Sequence, residues 1–382
     1  MRVAIICLRG KSAAPEDQWA AKRARRLAAL DEAQALGIAR AMLDRGRLAP
    51  LLVFEKGSPL EQKALEYGIP CLLWGFFSRF QLWRWQRKHS RLIIQTVGQE
   101  SMPVGRMLLK MRKKDTAILA HAFFLKAPEG KNLTGKAMRA ASRVLCGSGH
   151  VAERISEGLA KTIKTIIDRP GIGMESWLPC RPWGEGGNRR FVFGMAQSLE
   201  PQSGALLVIR AMSALWQRPD LPPWEVRMFG SGPRFREVLN EAENLGVASR
   251  LSLLADQPLP VVLPCCHAWL APGTDPREYP ETAWAGIAAG APLICAISPL
   301  HSERLKAAEN GPAPALRVPG NDPQSLARAM ISLMRDERLR ARLVHGGEAI
   351  RPEIGIEAMA QRTLGFYEQW AEESWGKPEP CK

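Results

Sequence analysis

The chain has 382 residues, of which 46% are hydrophobic and 24% charged, with 33 Gly and 29 Pro; this composition fits two folded domains and excludes collagen-like and fully disordered classes. No stretch approaches the ~18 consecutive apolar residues of a membrane span, and the eight cysteines are scattered without a C-x-x-C pair or ligand-spaced histidines, so neither a disulfide framework nor a metal site is expected. Residues 1–188 hold 32 Lys and Arg against 16 Asp and Glu, an excess of +16, whereas the remainder holds 21 against 22; such a one-sided field attracts polyanions such as nucleic acid, anionic lipid headgroups or a phosphorylated acceptor.

Arg2 to Cys7 is a short β-branched run suited to a buried parallel strand; the apolar run Val3 to Leu8 is too short for a signal-peptide core and no small-residue cleavage site follows it, so the expected location is cytoplasmic. Trp19 to Asp44 carries Leu27, Leu30, Ala35, Ile38 and Met42 at helical spacing. The strand signature recurs at Pro50 to Phe54, Cys71 to Trp74, Leu92 to Gln95, Thr116 to Ala120 and Arg143 to Cys146, each separated by a helix-length segment. A turn-rich stretch from Pro179 to Arg190 interrupts the series as an interdomain linker does. The alternation then restarts with strands at Phe191 to Met195, Trp224 to Phe229, Leu251 to Leu254, Ala268 to Ala271 and Pro292 to Ala296. Helices are expected at Gly204 to Trp216, Pro233 to Leu245 and Glu281 to Ala289. The fold class is therefore α/β, with two tandem Rossmann-like domains whose strand carboxyl ends face a cleft. The expected domains are 1–180 and 189–360, followed by a helix and tail over 361–382.

In the second half, Trp224 to Pro233 (WEVRMFGSGP), then Leu245-Gly246-Val247 and Arg250-Leu251, stand in order with Pro272, the turn Ala288-Ala289-Gly290-Ala291-Pro292, and Val318 to Pro323. This collinear set resembles the nucleotide-sugar-binding domain of retaining GT-B glycosyltransferases, the group 1 family that includes lipopolysaccharide-core and mannosyl transferases. The resemblance implies a GT-B fold with an acceptor-side first domain and a donor-side second domain. It also implies a nucleoside diphosphate sugar as donor, retention of configuration, and no metal or other cofactor.

Physically, Gly230 and Gly232 permit positive φ and close backbone approach, and so are expected, with Ser231, to leave helix N-terminal amides open to the donor. The family's loop cations have no counterpart here, because the loop Ala196 to Gly204 carries Ser198 and Ser203 at those places. Its pair of glutamates is expected at 277 and 285, which hold Arg277 and Ala285, so Glu278 or Glu281 is expected to replace the first. Arg277 is expected to neutralise the diphosphate, and Glu281 and Thr282 to line the donor site. In the first domain, Gly10 and Lys11 follow strand one as an anion-binding loop, and His121 ends the fifth strand at the cleft floor. Glu278 and His121 are thus the candidate catalytic residues. His267, after Cys265-Cys266, reads as a core residue, since successive side chains of an extended segment cannot converge on one ion.

Phe76, Phe80 and Trp83 fall within about 60° of one another at ~100° per residue, with Arg87 and Arg91 further along that side and Arg84 and Lys88 between them. Aromatic rings beside guanidinium groups suit an anionic membrane surface. They also suit single-stranded nucleic acid, but no recognition module accompanies them, so nucleic acid is not an expected partner. The expectation is transfer of a sugar from a nucleotide-diphosphate donor to an anionic, membrane-anchored glycan or lipid, from a peripheral position on the inner face of the plasma membrane. The alternative is a non-catalytic GT-B-like partner in polysaccharide assembly, favoured by the missing loop cations and glutamates.

Overall fold

The computed structural model describes residues 1–9, 18–46, 48–58, 60–75, 77–112, 116–123, 135–158, 163–174, 178–184, 190–201, 203–274, 281–298, 305 and 311–376, with backbone alone at 18–27 and 281. Two compact units result: unit 1 runs from Met1 to Gly171 and takes up the chain again at Gly355, and unit 2 is Ile172–Ile354.

Unit 1 is built on β1 (Arg2–Cys7), α1 (Gln18–Arg45), β2 (Ala49–Glu55), α2 (Leu60–Glu66), β3 (Cys71–Trp74), α3 (Ser78–Arg87), β4 (Leu92–Val97), α4 (Met102–Lys110), β5 (Ala117–Phe123), β6 (Arg143–Cys146), α5 (Gly149–Gly158) and β7 (Lys164–Ile167). The strands form one parallel sheet in the order β3-β2-β1-β4-β5-β6-β7. β1 and β4 are buried past the first residue of β1, and apolar there except for Gln95 and Thr96, because helices cover both faces of the sheet. Their register places Ile6 beside both Val53 and Thr96. The sequence pattern did not reveal β7, an edge strand with no buried residue in its KTII run.

Unit 2 contains β8 (Phe191–Ala196), α6 (Ala205–Trp216), β9 (Trp224–Phe229), α7 (Phe235–Asn244), β10 (Leu251–Leu254), β11 (Ala268–Ala271), α8 (Glu281–Ala288), β12 (Leu293–Ala296), β13 (Leu316–Val318), α9 (Pro323–Arg335) and α10 (Glu337–Ile354). Its parallel sheet runs β10-β9-β8-β11-β12-β13. One face packs Met195, Val208, Met212, Val226, Met330 and Leu333. The other packs Trp269, Trp284, Ile287 and Leu293. Asp322 caps α9, accepting from the Gln324 and Ser325 amides at 3.0 and 3.1 Å.

The final helix, α11 (Ile356–Trp375), belongs to unit 1. Tyr367 and Trp370 are fully buried, and the Tyr367 hydroxyl donates to Gln95 Oε1 on β4. Thr363 Oγ1 donates to Asp168 Oδ2 at 2.5 Å, and Arg362 reaches the same carboxylate at 3.3 Å. Two Rossmann-like halves are thus the observed architecture, as the alternation of the sequence requires.

Candidate active site

In an open parallel sheet the ligand crevice lies at the strand carboxyl ends, where neighbouring strands send their connections in opposite directions. In unit 2 that point is between β8 and β11. The loops after β8 and β9 lie against each other there. The Gln197 amide donates to Phe229 O and the Leu199 amide to Ser231 O, both at 3.1 Å, and the Arg234 amide donates to Leu199 O at 3.0 Å. A Cβ on Gly230 would stand 2.1 Å from Gln197 O, and one on Gly232 2.5 Å from Leu199 O.

This corrects the expected role of the two glycines. Neither adopts positive φ; they are needed because a second backbone passes too close for any side chain. At the start of α7 the amides of Arg234 and Phe235 donate to Leu199 O and Gly232 O. Ser231 between them donates its hydroxyl to the Asp256 carboxylate. The left-handed residue of this region is Gly204, which caps α6 with φ of 77° and packs against Pro272 O.

A cavity of about 260 Å³ opens around the start of α6, lined among others by Ser203, Gly204, Arg210, Arg234, Thr274 and Asn321. Arg210 pairs through Nε with Glu241 at 2.9 Å, and Arg234 through Nε with Glu237 at 3.2 Å. Neither arginine was legible as a site residue, because Arg210 lies on α6 and Arg234 just before α7, both outside the loop that the resemblance singles out. The available signal was Arg234 directly following the Gly-Ser-Gly-Pro turn. Thr282 is buried near the start of α8, which opens at Glu281. Arg277 and Glu278 lie outside the described residues, as do Gly10 and Lys11.

In unit 1 the switch point falls between β1 and β4. The Leu8 amide donates to Ser101 Oγ at 2.8 Å, and that hydroxyl donates to Val97 O at 2.8 Å, tying the two strand ends together. Just beyond them α1 presents two adjacent carboxylates. Glu32 receives Arg9 Nε and Nη2 at 2.6 and 2.5 Å and Ser58 Oγ at 3.0 Å. Asp31 has Oδ1 buried without a hydrogen-bond partner among the described residues, and burial together with the neighbouring Glu32 pushes its carboxyl up to about 7. The sequence reading passed over this pair. Two adjacent carboxylates in the middle of a predominantly basic helix, just after a leucine, were the signal.

His121 is a correction. β5 continues to Phe123, so His121 lies within the strand, fully buried, and not at its end. Its Nδ1 meets Thr96 Oγ1 at 2.5 Å and its Nε2 meets Ala137 O at 3.1 Å. Both ring nitrogens are engaged, and burial lowers its pKa to about 4, so it stands as a neutral core residue. His267 behaves as expected: it is buried, and its Nδ1 accepts the Val192 amide at 2.9 Å. Among the described residues no group of three His, Cys, Asp or Glu side chains stands ready to hold a metal ion.

The aromatic-basic segment forms α3, which turns Ser78, Leu82 and Gln86 inward. Phe76 lies outside the described residues, while Phe77 and Phe80 are 73% and 57% exposed. Phe80 and Trp83 stack at 5.6 Å, Arg84 stands 6.0 Å from the Phe80 ring and Arg87 4.8 Å from that of Trp83. Lys88 and Arg91 continue the exposed basic surface, Arg91 lying 5.9 Å from the Trp375 ring. No helix of the described residues is long and apolar enough to cross a membrane.

Residues 185–349 match the family model described as glycosyl transferases group 1. Over 123 residues the chain is 32% identical to an exopolysaccharide phosphotransferase of Streptomyces coelicolor; the match covers 32% of this chain and only 13% of that relative. The structure is similar to that of Anabaena HepE in complex with UDP and glucose, with a TM-score of 0.69, 16% identity and coverage of 97% and 100% of the two chains. It is similar also to a glycosyltransferase of Rickettsia africae, with a TM-score of 0.70, 13% identity and coverage of 96% and 98%. The outer-core galactosyltransferase WaaB gives a TM-score of 0.64 at 12% identity, over 97% of this chain and 100% of that one.

Proposed function

We propose that this chain, a glycosyltransferase that carries a group 1 domain over residues 185–349 on a GT-B fold, moves a hexosyl group from a nucleoside diphosphate sugar, with retention, to an anionic glycan or lipid held at a membrane surface. The observation that carries the reading is the cavity at the start of α6, framed by glycine-pinned loops and bordered by two arginines. UDP and glucose bound to HepE, of the same fold, support a nucleotide-sugar donor.

The chemistry asks for two things. As the glycosidic bond to the diphosphate breaks, the sugar gains oxocarbenium character and the leaving diphosphate gains charge, so cations must be in place beforehand and the acceptor hydroxyl must be held close. In this reading unit 2 supplies the donor site through Gly230, Ser231, Gly232 and Thr282, with Arg277, Glu278 and Glu281 in the adjoining segment. For unit 1 the reading assigns Gly10 and Lys11 to an anion-binding loop. In the same reading the α3 surface, with Phe80, Trp83, Arg84 and Arg87, holds the protein against anionic lipid, and the acceptor belongs to cell-envelope polysaccharide or lipopolysaccharide assembly.

A thermal-shift screen of nucleoside diphosphates and their sugars tests the donor reading. A true donor stabilises the folded chain by about 2.7 kcal/mol at a hundredfold excess over Kd. Release of nucleoside diphosphate on adding a lipid-linked glycan extract then identifies the acceptor class. If no nucleoside diphosphate binds at millimolar concentration, the non-catalytic alternative takes the place of the enzyme.

A further inference from the structure

We infer that Arg210 and Arg234 form the phosphate-binding pair of unit 2 and hold the diphosphate of the donor, in place of cations that the loop from Ala196 to Gly204 lacks; this rests on the donor reading above. The loop itself carries no Lys or Arg, and Ser198 and Ser203 at the places of the cations are neutral donors. A diphosphate brought to this cavity without a cation nearby would lose its hydration against no compensating charge.

Arg210 comes from the second turn of α6, and Arg234 is the residue immediately before α7. Both line the same cavity as Ser203, Thr274 and Asn321, which supply hydroxyl and amide groups. Each guanidinium spends its Nε on a glutamate, Glu241 for Arg210 and Glu237 for Arg234. No further side-chain partner among the described residues takes up their terminal amino groups. A guanidinium steadied at Nε still has four N–H donors, enough for a bidentate grip on phosphate oxygens. The carboxylates on Nε orient the two cations in advance, which reduces the side-chain freedom lost on binding.

Glu200 is the carboxylate bordering the same cavity. It opposes an anion directly, so it gives the proposal a test of opposite sign. Removing its charge should tighten the binding of any ligand held there by its phosphates, whereas removing an arginine should weaken it.

The experiment is calorimetric titration of the full chain and its variants with whichever of UDP, GDP and ADP binds the parent best, and with the matching nucleoside. Arg210→Gln and Arg234→Gln should each weaken diphosphate binding at least tenfold, since a charge-assisted bond contributes on the order of 1.5 kcal/mol or more. Nucleoside affinity should change less than threefold. Glu200→Gln should strengthen diphosphate binding and leave the nucleoside alone. The salt dependence of diphosphate affinity should flatten in each arginine variant. Circular dichroism melts identify any variant that fails to fold, and Arg→Lys at the same position, which keeps the charge, then takes its place and should recover part of the affinity. Diphosphate affinities within threefold of the parent in both arginine variants overturn the pair, most clearly if Arg277→Ala alone abolishes binding. Absence of binding by the parent overturns the donor reading and the pair together.

Discussion

Asp31 and Glu32 are neighbours on α1, yet differently met: Arg9 and Ser58 hold Glu32, whereas Oδ1 of Asp31 is buried with no hydrogen-bond partner among the described residues. Burial and the adjacent Glu32 raise the Asp31 carboxyl from 3.8 to about 7. The folded chain therefore holds this proton more tightly than the unfolded chain. Its contribution is fully present below about pH 4 and is lost as pH rises through about 7. Asp31→Asn, which keeps the shape and removes the titration, should stabilise the fold relative to the parent above pH 7 by on the order of a few kcal/mol, read as a higher Tm, and much less at pH 4. A gap between variant and parent that is equal at both pH values counts against this account.

His121 shows the opposite linkage. Burial lowers its pKa from 6.5 to about 4, so its neutral form is favoured in the fold and its contribution is lost as pH falls from 6.5 towards 4. NMR of the labelled imidazole should find no titration between pH 5.5 and 8. A midpoint near 6.5 would mean that the ring is exposed and that the site reading needs His121 back.

Glycine is required at 230 by contact and not by φ. Gly230→Ala puts a methyl 2.1 Å from Gln197 O, between two backbones that cannot both give way. We expect a loss of about 1–3 kcal/mol in chemical denaturation together with weakened nucleotide binding. Gly365→Ala on α11, where a Cβ meets nothing within 4 Å, should instead stabilise by roughly 0.5–1 kcal/mol.

The α3 surface should bind vesicles containing anionic lipid at low ionic strength, release them at roughly 0.5 M salt, and ignore neutral vesicles. Phe77→Ser with Phe80→Ser should weaken binding at any salt, because these rings are exposed in the free protein and would bury only against lipid. Arg84→Glu with Arg87→Glu should abolish it. Equal co-sedimentation with neutral and anionic vesicles removes the membrane role.

The strands lining the middle of each sheet were legible because burial on both faces demands continuous β-branched and apolar runs, as in Val3 to Ile6 and Phe191 to Met195. Edge strands β7 and β13 were not, because one side of each escapes burial and their short runs mix charged and apolar residues. The glycine turn at 230–232 was legible by composition, though its physical reason was not. Periodicity marked α3 as amphipathic, but only packing could show that Leu82 and Gln86 face inward and leave Phe80 outside.

By itself, the sequence determined the α/β class, the two-fold repeat of strand-helix series, the concentration of positive charge in the first half and the likeness of the second half to a nucleotide-sugar-binding domain. These rest on local patterns, since burial on a strand or helix face is written along the chain with a period of two or 3.6 residues. The tertiary structure decided which distant residues meet. It buried His121 between Thr96 and Ala137, left Asp31 Oδ1 without a partner among the described residues beside Glu32, and brought Arg210 of α6 and Arg234 before α7 to one cavity. Such meetings depend on sheet order and loop packing, which carry no periodic mark in the chain, and they fix the charge and solvation on which any chemistry at these sites depends.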